Sequence, residues 1–96
     1  MKKRVSADST VVAAPSQVSA DLAGERAILH LDSGVYYGLD KVGASIWAFI
    51  QKPKKVSDIL RMLLERYDVE PRRCRQDLLV LLEKLSAEKL VEIRKP

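Results

Sequence analysis

The chain has 96 residues and a mass of 10.8 kDa, the size of one small domain, which leaves no room for a second. Hydrophobic residues make up 47% of it and charged residues 31%, a balance for which neither a disordered nor a membrane-embedded chain is expected. The formal charge of +4 permits a polyanionic partner but is modest for a protein dedicated to binding one.

The amino terminus imitates a signal peptide only at its two ends. A basic start, 1–4, and a small-residue segment, 18–20, flank an apolar run, 11–14, that is too short for the hydrophobic region of an exported chain. No stretch approaches the roughly 18 apolar residues of a membrane span. We therefore expect a cytoplasmic protein, with a flexible arm over residues 1–8 and a single domain over residues 9–96.

The first half of the chain favours strands and the second half favours helices. This division predicts an α+β fold rather than alternating βαβ units. The first β-compatible stretches fall at 10–14 and 17–22, and they are separated by Pro15, which lacks a backbone donor and marks a bend or a strand edge.

A hairpin is predicted next. Residues 26–31 alternate as a half-buried strand does, and residues 35–39 run back after a turn in which Gly34 supplies the positive φ of a tight reversal. In the second strand one face carries Val35, Tyr37 and Leu39, and the other carries Tyr36 and Gly38.

Two helices are predicted after the hairpin. Asp40 suits the N-cap position of the first, 41–50, because its carboxylate can accept from free amides of the first turn. Trp47 lies beside the apolar stripe of this helix and is expected in the core. The second helix begins near Ser57, a good N-cap residue.

The third predicted helix, 71–87, starts with Pro71, whose missing amide hydrogen costs nothing at the first helical position. Leu79 lies beside its apolar stripe and widens it beyond what a core contact requires. Residues 90–93 then alternate like a closing strand or wing, so the elements together describe a winged helix-turn-helix-like domain. The stripe itself consists of Cys74, Leu78, Leu81, Leu82 and Leu85.

Catalytic and metal chemistry find little support in the sequence. Cys74 and His30 are the one cysteine and the one histidine, so an internal disulfide is excluded and a zinc site lacks ligands. A cysteine nucleophile would need the histidine beside it, and neither residue has the local signature of such an enzyme. We expect a protein that is not an enzyme and uses no cofactor, with Cys74 as a small buried hydrophobic residue.

Two functions compete on the residues alone. A winged-helix DNA-binding regulator is favoured by basic and amide side chains at the start of the third helix, Arg72, Arg73, Arg75 and Gln76. The apolar Leu79 and the nearby Asp77 and Glu83 make poor contacts to phosphates or bases, which weighs against this function. The alternative is peptide binding, in which residues 35–39 are an edge strand that an extended peptide joins as a further strand.

A family resemblance bears on this choice. The run from Leu31 to Asp40, Leu-Asp-Ser-Gly-Val-Tyr-Tyr-Gly-Leu-Asp, is followed by Val-Gly-Ala-Ser-Ile-Trp at 42–47, and residues 56–60, 67–69 and 77–91 continue the match. This pattern resembles the PqqD-like proteins, the RiPP recognition elements of peptide natural-product pathways. Within them it is most similar to the freestanding leader-binding half of the split B proteins of lasso-peptide biosynthesis. The sequence departs from the family at Asp40, where asparagine is commoner.

The resemblance implies a three-stranded antiparallel sheet followed by three helices, and a binding function without catalysis. The ligand would be the leader of a ribosomally made precursor peptide, with a Tyr-x-x-Pro-x-Leu pattern. The partners would be a cysteine-protease leader peptidase and the cyclase, with no membrane and no nucleic acid. The expected peptide-binding residues are Val35, Tyr36, Tyr37, Gly38 and Leu39 on the edge strand and Arg75, Asp77, Leu78, Leu79 and Leu82 on the third helix.

Among the helix residues, Leu79 has the strongest claim to the wall of the groove because the core stripe does not need it. Leu78 and Leu82 suit the core equally well. Asp77 is a candidate polar clamp and Tyr36 a candidate aromatic contact, although each also fits ordinary surface or packing.

Overall fold

The computed structural model describes residues 5–15, 17–23 and 25–94. The strands of this part of the chain form two antiparallel three-stranded sheets, ordered β2-β3-β4 and β5-β1-β6, and three helices accompany them. The predicted α+β, winged-helix-like class is confirmed. In chain order the elements are β1 (Thr10–Ala13), β2 (Gln17–Leu22), β3 (Glu25–His30), β4 (Tyr36–Leu39), α1 (Lys41–Phe49), β5 (Lys54–Lys55), α2 (Val56–Arg66), α3 (Pro71–Ala87) and β6 (Val91–Arg94).

The predicted hairpin consists of β3 and β4. Ile28 lies opposite Tyr37, and this side of the sheet faces the core, where Ile28 and Leu39 are buried. Tyr36, on the other side, is 66% exposed. The turn between the strands closes when the His30 amide donates to the Val35 carbonyl, and Gly34 has the expected positive φ.

The second sheet was not anticipated as a unit. β1 pairs with β5 on one edge and with β6 on the other, and both partners lie far from β1 in sequence. The two residues of β5, Lys54 and Lys55, carry no alternation that indicates a strand. β6 occupies the position predicted for the closing strand or wing.

The prediction of a flexible arm over residues 1–8 is wrong for residues 5–8. Residues 1–4 lie outside the described residues. Val5 is buried in the core, and the Ala7 carbonyl accepts a hydrogen bond from the Ser57 amide at 3.1 Å. The Ser9 carbonyl likewise accepts from the Val56 amide at 3.0 Å. Residues 5–9 therefore hold the start of α2 rather than extending away from the domain.

Helices α1 and α3 begin at local side-chain caps, whereas α2 begins at backbone bonds from a distant segment. The Asp40 carboxylate accepts from the Gly43 amide at 2.8 Å, which confirms it as the N-cap of α1. Helix α2 starts one residue before the predicted cap, because backbone bonds from the amino-terminal segment replace a side-chain cap there. Pro71 opens α3 as predicted.

The core lies between the sheets and the helices. Trp47 is buried, as expected, and α3 contributes three fully buried leucines to the same cluster, Leu78, Leu82 and Leu85. Other apolar residues of α3 lie at the margin of the core and are only partly buried, namely Cys74, Leu79 and Leu81.

Candidate functional site

Strand β4 has one unpaired edge. It is the terminal strand of its sheet, and within the described part of the chain no strand pairs with its outer side. In an antiparallel ladder, pairs of residues that exchange backbone hydrogen bonds alternate with pairs that do not. Because the His30 amide donates to the Val35 carbonyl, the next bonded residues along β4 are Tyr37 and Leu39, which pair with β3. The N–H and C=O groups of Tyr36 and Gly38 consequently point outward.

A groove of about 660 Å³ runs along this edge. Its floor and walls come from the end of β4, the first turns of α1, and the amino-terminal half of α3 with the residues that precede it. The residues that line it are Tyr37, Gly38, Leu39, Asp40, Val42, Gly43, Ile46, Val69, Glu70, Arg73, Cys74, Asp77 and Leu81.

The pitch of α3 decides which of its side chains face the groove. Arg73, Asp77 and Leu81 recur every four residues and therefore lie on one side of the helix. The neighbouring side carries Leu78 and Leu82 and is buried in the core. Core packing thus fixes the rotation of α3 about its axis. In this orientation Arg73, Asp77 and Leu81 face the groove beside β4.

Gly43 holds α1 close to β4. A Cβ atom at this position would lie 3.1 Å from two side-chain carbons of Leu39, closer than nine in ten real contacts of that kind. The absence of a side chain lets the first turn of α1 pack on the end of β4, where both elements line the groove.

Carboxylates dominate the polar lining of the groove. Asp40 and Glu70 cap the two helices that begin here, and Glu70 accepts from the amides of Arg72 at 2.7 Å and Arg73 at 3.2 Å. Asp77 is exposed and lies 4.0 Å from the Arg73 guanidinium, an ion pair too long and too exposed to contribute much stability.

Cys74 is half-buried in the groove wall rather than fully enclosed. Burial, and secondarily the negative charge of Asp77, raise the pKa of its thiol above the ordinary value. A raised pKa keeps the sulfur protonated and unreactive at neutral pH, so the residue contributes an apolar surface to the groove.

The structure brings together about half of the predicted site residues. Tyr37, Gly38, Leu39 and Asp77 line the groove, while Tyr36 contributes its outward backbone groups and Val35 precedes the strand half-buried.

The other predicted residues of α3 lie elsewhere. Leu78 and Leu82 are 2% and 0% exposed and belong to the core. Leu79 packs partly buried against the core and is not among the groove residues, and Arg75 lines a separate hollow of about 320 Å³ between α2 and α3. The groove therefore lies on the flank of the buried stripe opposite Arg75 and Leu79.

The groove residues that were not predicted lie on α1, on α3 and in the segment that precedes α3. Cys74 and Leu81 were placed in the core stripe, although their spacing from Asp77 is the signal that marks the groove side of α3. Gly43, a glycine inside a helix, signalled a close contact. The remaining missed residues are Val42, Ile46, Val69, Glu70 and Arg73, and Asp40 was recognised only as a cap.

Among the described residues, no three histidine, cysteine or acidic side chains lie close enough together to hold a metal ion. No helix in the same residues combines the length and apolarity needed to cross a membrane.

Comparisons with known proteins identify close structural relatives. A family model described as "Coenzyme PQQ synthesis protein D (PqqD)" matches residues 25–91. The solved structure of TbiB1 in complex with the TbiA(beta) leader peptide is 32% identical, with a TM-score of 0.78, over 84% of this chain and 94% of that one. Lasso peptide synthetase B1 complexed with the leader peptide is 21% identical, with a TM-score of 0.74, over 85% of this chain and 96% of that one. No curated protein sequence matches the chain.

Proposed function

The chain belongs to the PqqD family, and from this premise we propose that it binds the leader segment of a ribosomally synthesised precursor peptide. The leader joins the sheet as a fourth strand along β4 and presses alternate side chains against α3. The protein acts as a binding module rather than a catalyst. The proposed compartment is the cytoplasm, where the precursor is translated, and the mature product is a lasso peptide.

The observation that carries this proposal is an open strand edge beside a groove. Proteins usually protect edge strands with charges, and the other edges of the two sheets follow this rule. β5 consists of two lysines, β6 contains Glu92 and Arg94, and β2 contains Asp21. β4 alone among these edges has no charged residue, so its backbone groups are available to a ligand.

Antiparallel addition fits both the strand and the Tyr-x-x-Pro-x-Leu pattern that the family resemblance implies. Leader residues opposite Tyr36 and Gly38 exchange backbone bonds with them, and their side chains point to the outer face of the sheet. Residues opposite Tyr37 and Leu39 point into the groove, and their own N–H groups face away from β4. Proline at such a position loses no bond, so proline and the leucine two residues later both face the groove.

The solved relatives support this ligand. TbiB1 is 32% identical to the chain, and its structure holds a leader peptide. The winged-helix DNA-binding alternative is not favoured, because Arg73 of the supposed recognition helix faces the peptide groove and the Arg75 side lines a different hollow.

The consequence of leader binding is a high local concentration of substrate. A precursor held by its leader stays near the enzymes that process it, so an encounter between separate molecules becomes an effectively intramolecular one. We include the cysteine-protease leader peptidase and the cyclase among the proposed partners on the strength of the family resemblance.

The outer face of the β2-β3-β4 sheet suits contact with such an enzyme. Val18, Leu29 and Tyr36 lie in one row across the three strands and are 52%, 38% and 66% exposed. A solvated sheet face is usually polar, and an exposed apolar row of this kind marks an interaction surface. Val18→Glu lies on the strand farthest from the leader, so we expect it to preserve leader binding and to slow cleavage by the protease.

Strand addition is tested by amide exchange together with a binding titration. A fluorescein-labelled synthetic peptide with the Tyr-x-x-Pro-x-Leu pattern is titrated with the protein and followed by anisotropy, with a scrambled peptide as control. Hydrogen exchange by NMR should then show new protection at the Tyr36 and Gly38 amides, while Tyr37 and Leu39, already bonded to β3, change little. Saturable binding without this protection would refute the β4 edge, and tight salt-sensitive binding of duplex DNA alone would favour the alternative.

A further inference from the structure

The peptide groove differs in charge from the rest of the molecule. The chain as a whole carries +4, whereas the groove is lined by three carboxylates and one guanidinium, which leaves a formal charge of −2. The carboxylates belong to Asp40, Glu70 and Asp77, and the guanidinium belongs to Arg73. A ligand that enters this groove therefore meets a lining whose formal charge is opposite in sign to that of the whole chain.

From this charge distribution we infer that the leader carries a basic side chain at a position that points into the groove. The inference rests on the proposed function and specifies its ligand. An acidic residue at the same position would face like charges, whereas a lysine or arginine gains charge-assisted hydrogen bonds.

The three carboxylates contribute unequally. Asp40 and Glu70 already accept backbone amides at 2.7 to 3.2 Å, and the positive ends of their helices offset part of their charge. Each of their oxygens still has a second lone pair for an incoming donor. Asp77 is 75% exposed with one long contact to Arg73, so it is the carboxylate most free to pair with the ligand.

The strand geometry restricts where the basic residue lies. Proline and leucine of the Pro-x-Leu segment face the groove, and inward positions recur every second residue. The next inward positions are two residues before the proline and two residues after the leucine. Lysine has the reach to place its ammonium at the groove rim from either of them while its stem covers apolar surface.

Four labelled synthetic peptides test the inference on the full chain. They share the Tyr-x-x-Pro-x-Leu pattern and carry at both inward flanking positions either lysine, glutamine or glutamate. The fourth is a positional isomer of the lysine peptide, with its two lysines moved to outward positions, between proline and leucine and directly after leucine. Dissociation constants are measured by anisotropy at low and at physiological salt.

We expect the inward-lysine peptide to bind about tenfold more tightly than the inward-glutamate peptide, from two exposed ionic contacts of about threefold each. The advantage should shrink as salt rises. The positional isomer, which has the same net charge, should bind like the glutamine peptide. Asp77→Asn should reduce the preference, and Glu83→Gln, an exposed acid of α3 outside the groove, should leave it unchanged.

The outcomes separate the two proposals. Equal affinity of the inward-lysine and inward-glutamate peptides overturns the charge inference and leaves leader binding intact. An equal gain for the positional isomer also overturns it, because the effect would then be one of net charge. Failure of all four peptides to bind overturns the proposed function, and the inference with it.

Discussion

Replacing Gly38 with proline separates binding from folding, because the proposed ligand and the fold use different backbone groups of β4. The bonds between β4 and β3 are made by Tyr37 and Leu39, so Gly38→Pro removes none of them. A Cβ atom at position 38 would meet nothing within 4 Å, and the φ of proline lies within the broad β region. Proline is tolerated on edge strands whose N–H faces outward, so the variant should fold.

Leader binding should nevertheless fall sharply in this variant. One backbone hydrogen bond is lost, a net loss of about 1 kcal/mol, and the leader carbonyl that it satisfied is left desolvated at a further cost of about 1–3 kcal/mol. A total of about 2–4 kcal/mol corresponds to a loss in affinity of roughly 30- to 700-fold. Gly38→Ala is the matched control, because it retains the N–H and should bind like the wild type.

Anisotropy titrations with the labelled peptide and thermal melts followed by circular dichroism measure the two effects. A folded Gly38→Pro variant with wild-type affinity would refute strand addition at this edge. Parallel losses of affinity and folding in both variants would show instead that position 38 acts through the stability of the hairpin.

Three further substitutions or measurements follow from the contacts of single residues. Asp40→Ala should lower the free energy of unfolding by about 1 kcal/mol through loss of the Gly43 cap, whereas Asp40→Asn should retain the cap, and denaturant unfolding distinguishes them. Cys74 should react slowly with a thiol reagent at neutral pH and faster only above the ordinary cysteine range, because its raised pKa keeps it protonated; bound leader should slow the reaction further. Leu79→Asp should destabilise the fold by about 2 kcal/mol because its side chain packs against the core, and selective loss of leader binding with unchanged unfolding would contradict that packing.

Local signals in the sequence were sufficient for much of the fold. The Asp40 cap, the Pro71 start of α3 and the Gly34 turn each depend on residues within one helical turn or one hairpin. The β5-β1-β6 sheet depends on pairing between distant segments, which periodicity does not encode. The start of α2 was predicted one residue too late for the same reason. Its first amides donate to the carbonyls of Ala7 and Ser9 rather than to a nearby side chain.

The predicted site residues of β4 coincide with the groove lining better than those of α3. Successive side chains of a strand point to opposite faces of the sheet. Once the hairpin is known, this alternation determines which side chains of β4 lie on each face and which of its backbone groups point outward. On α3 apolar residues extend to both flanks of the buried stripe, Cys74 and Leu81 on one and Leu79 on the other. Periodicity shows that the stripe is wide, but only the packing of Leu78 and Leu82 in the core decides which flank faces β4.

The magnitudes indicate why the helical wall of the groove matters more than the strand edge for selectivity. Tyr36 and Gly38 offer at most four outward hydrogen bonds, and at about 1 kcal/mol each they supply about 4 kcal/mol, equivalent to millimolar binding. Any extended peptide can make these bonds, because they involve only backbone. Burial of a proline and a leucine side chain adds about 1.5–3 kcal/mol each, which brings the total towards micromolar affinity before the cost of ordering the peptide. The unprotected edge therefore makes binding possible for many sequences, and the residues of α1 and α3 that line the groove choose among them.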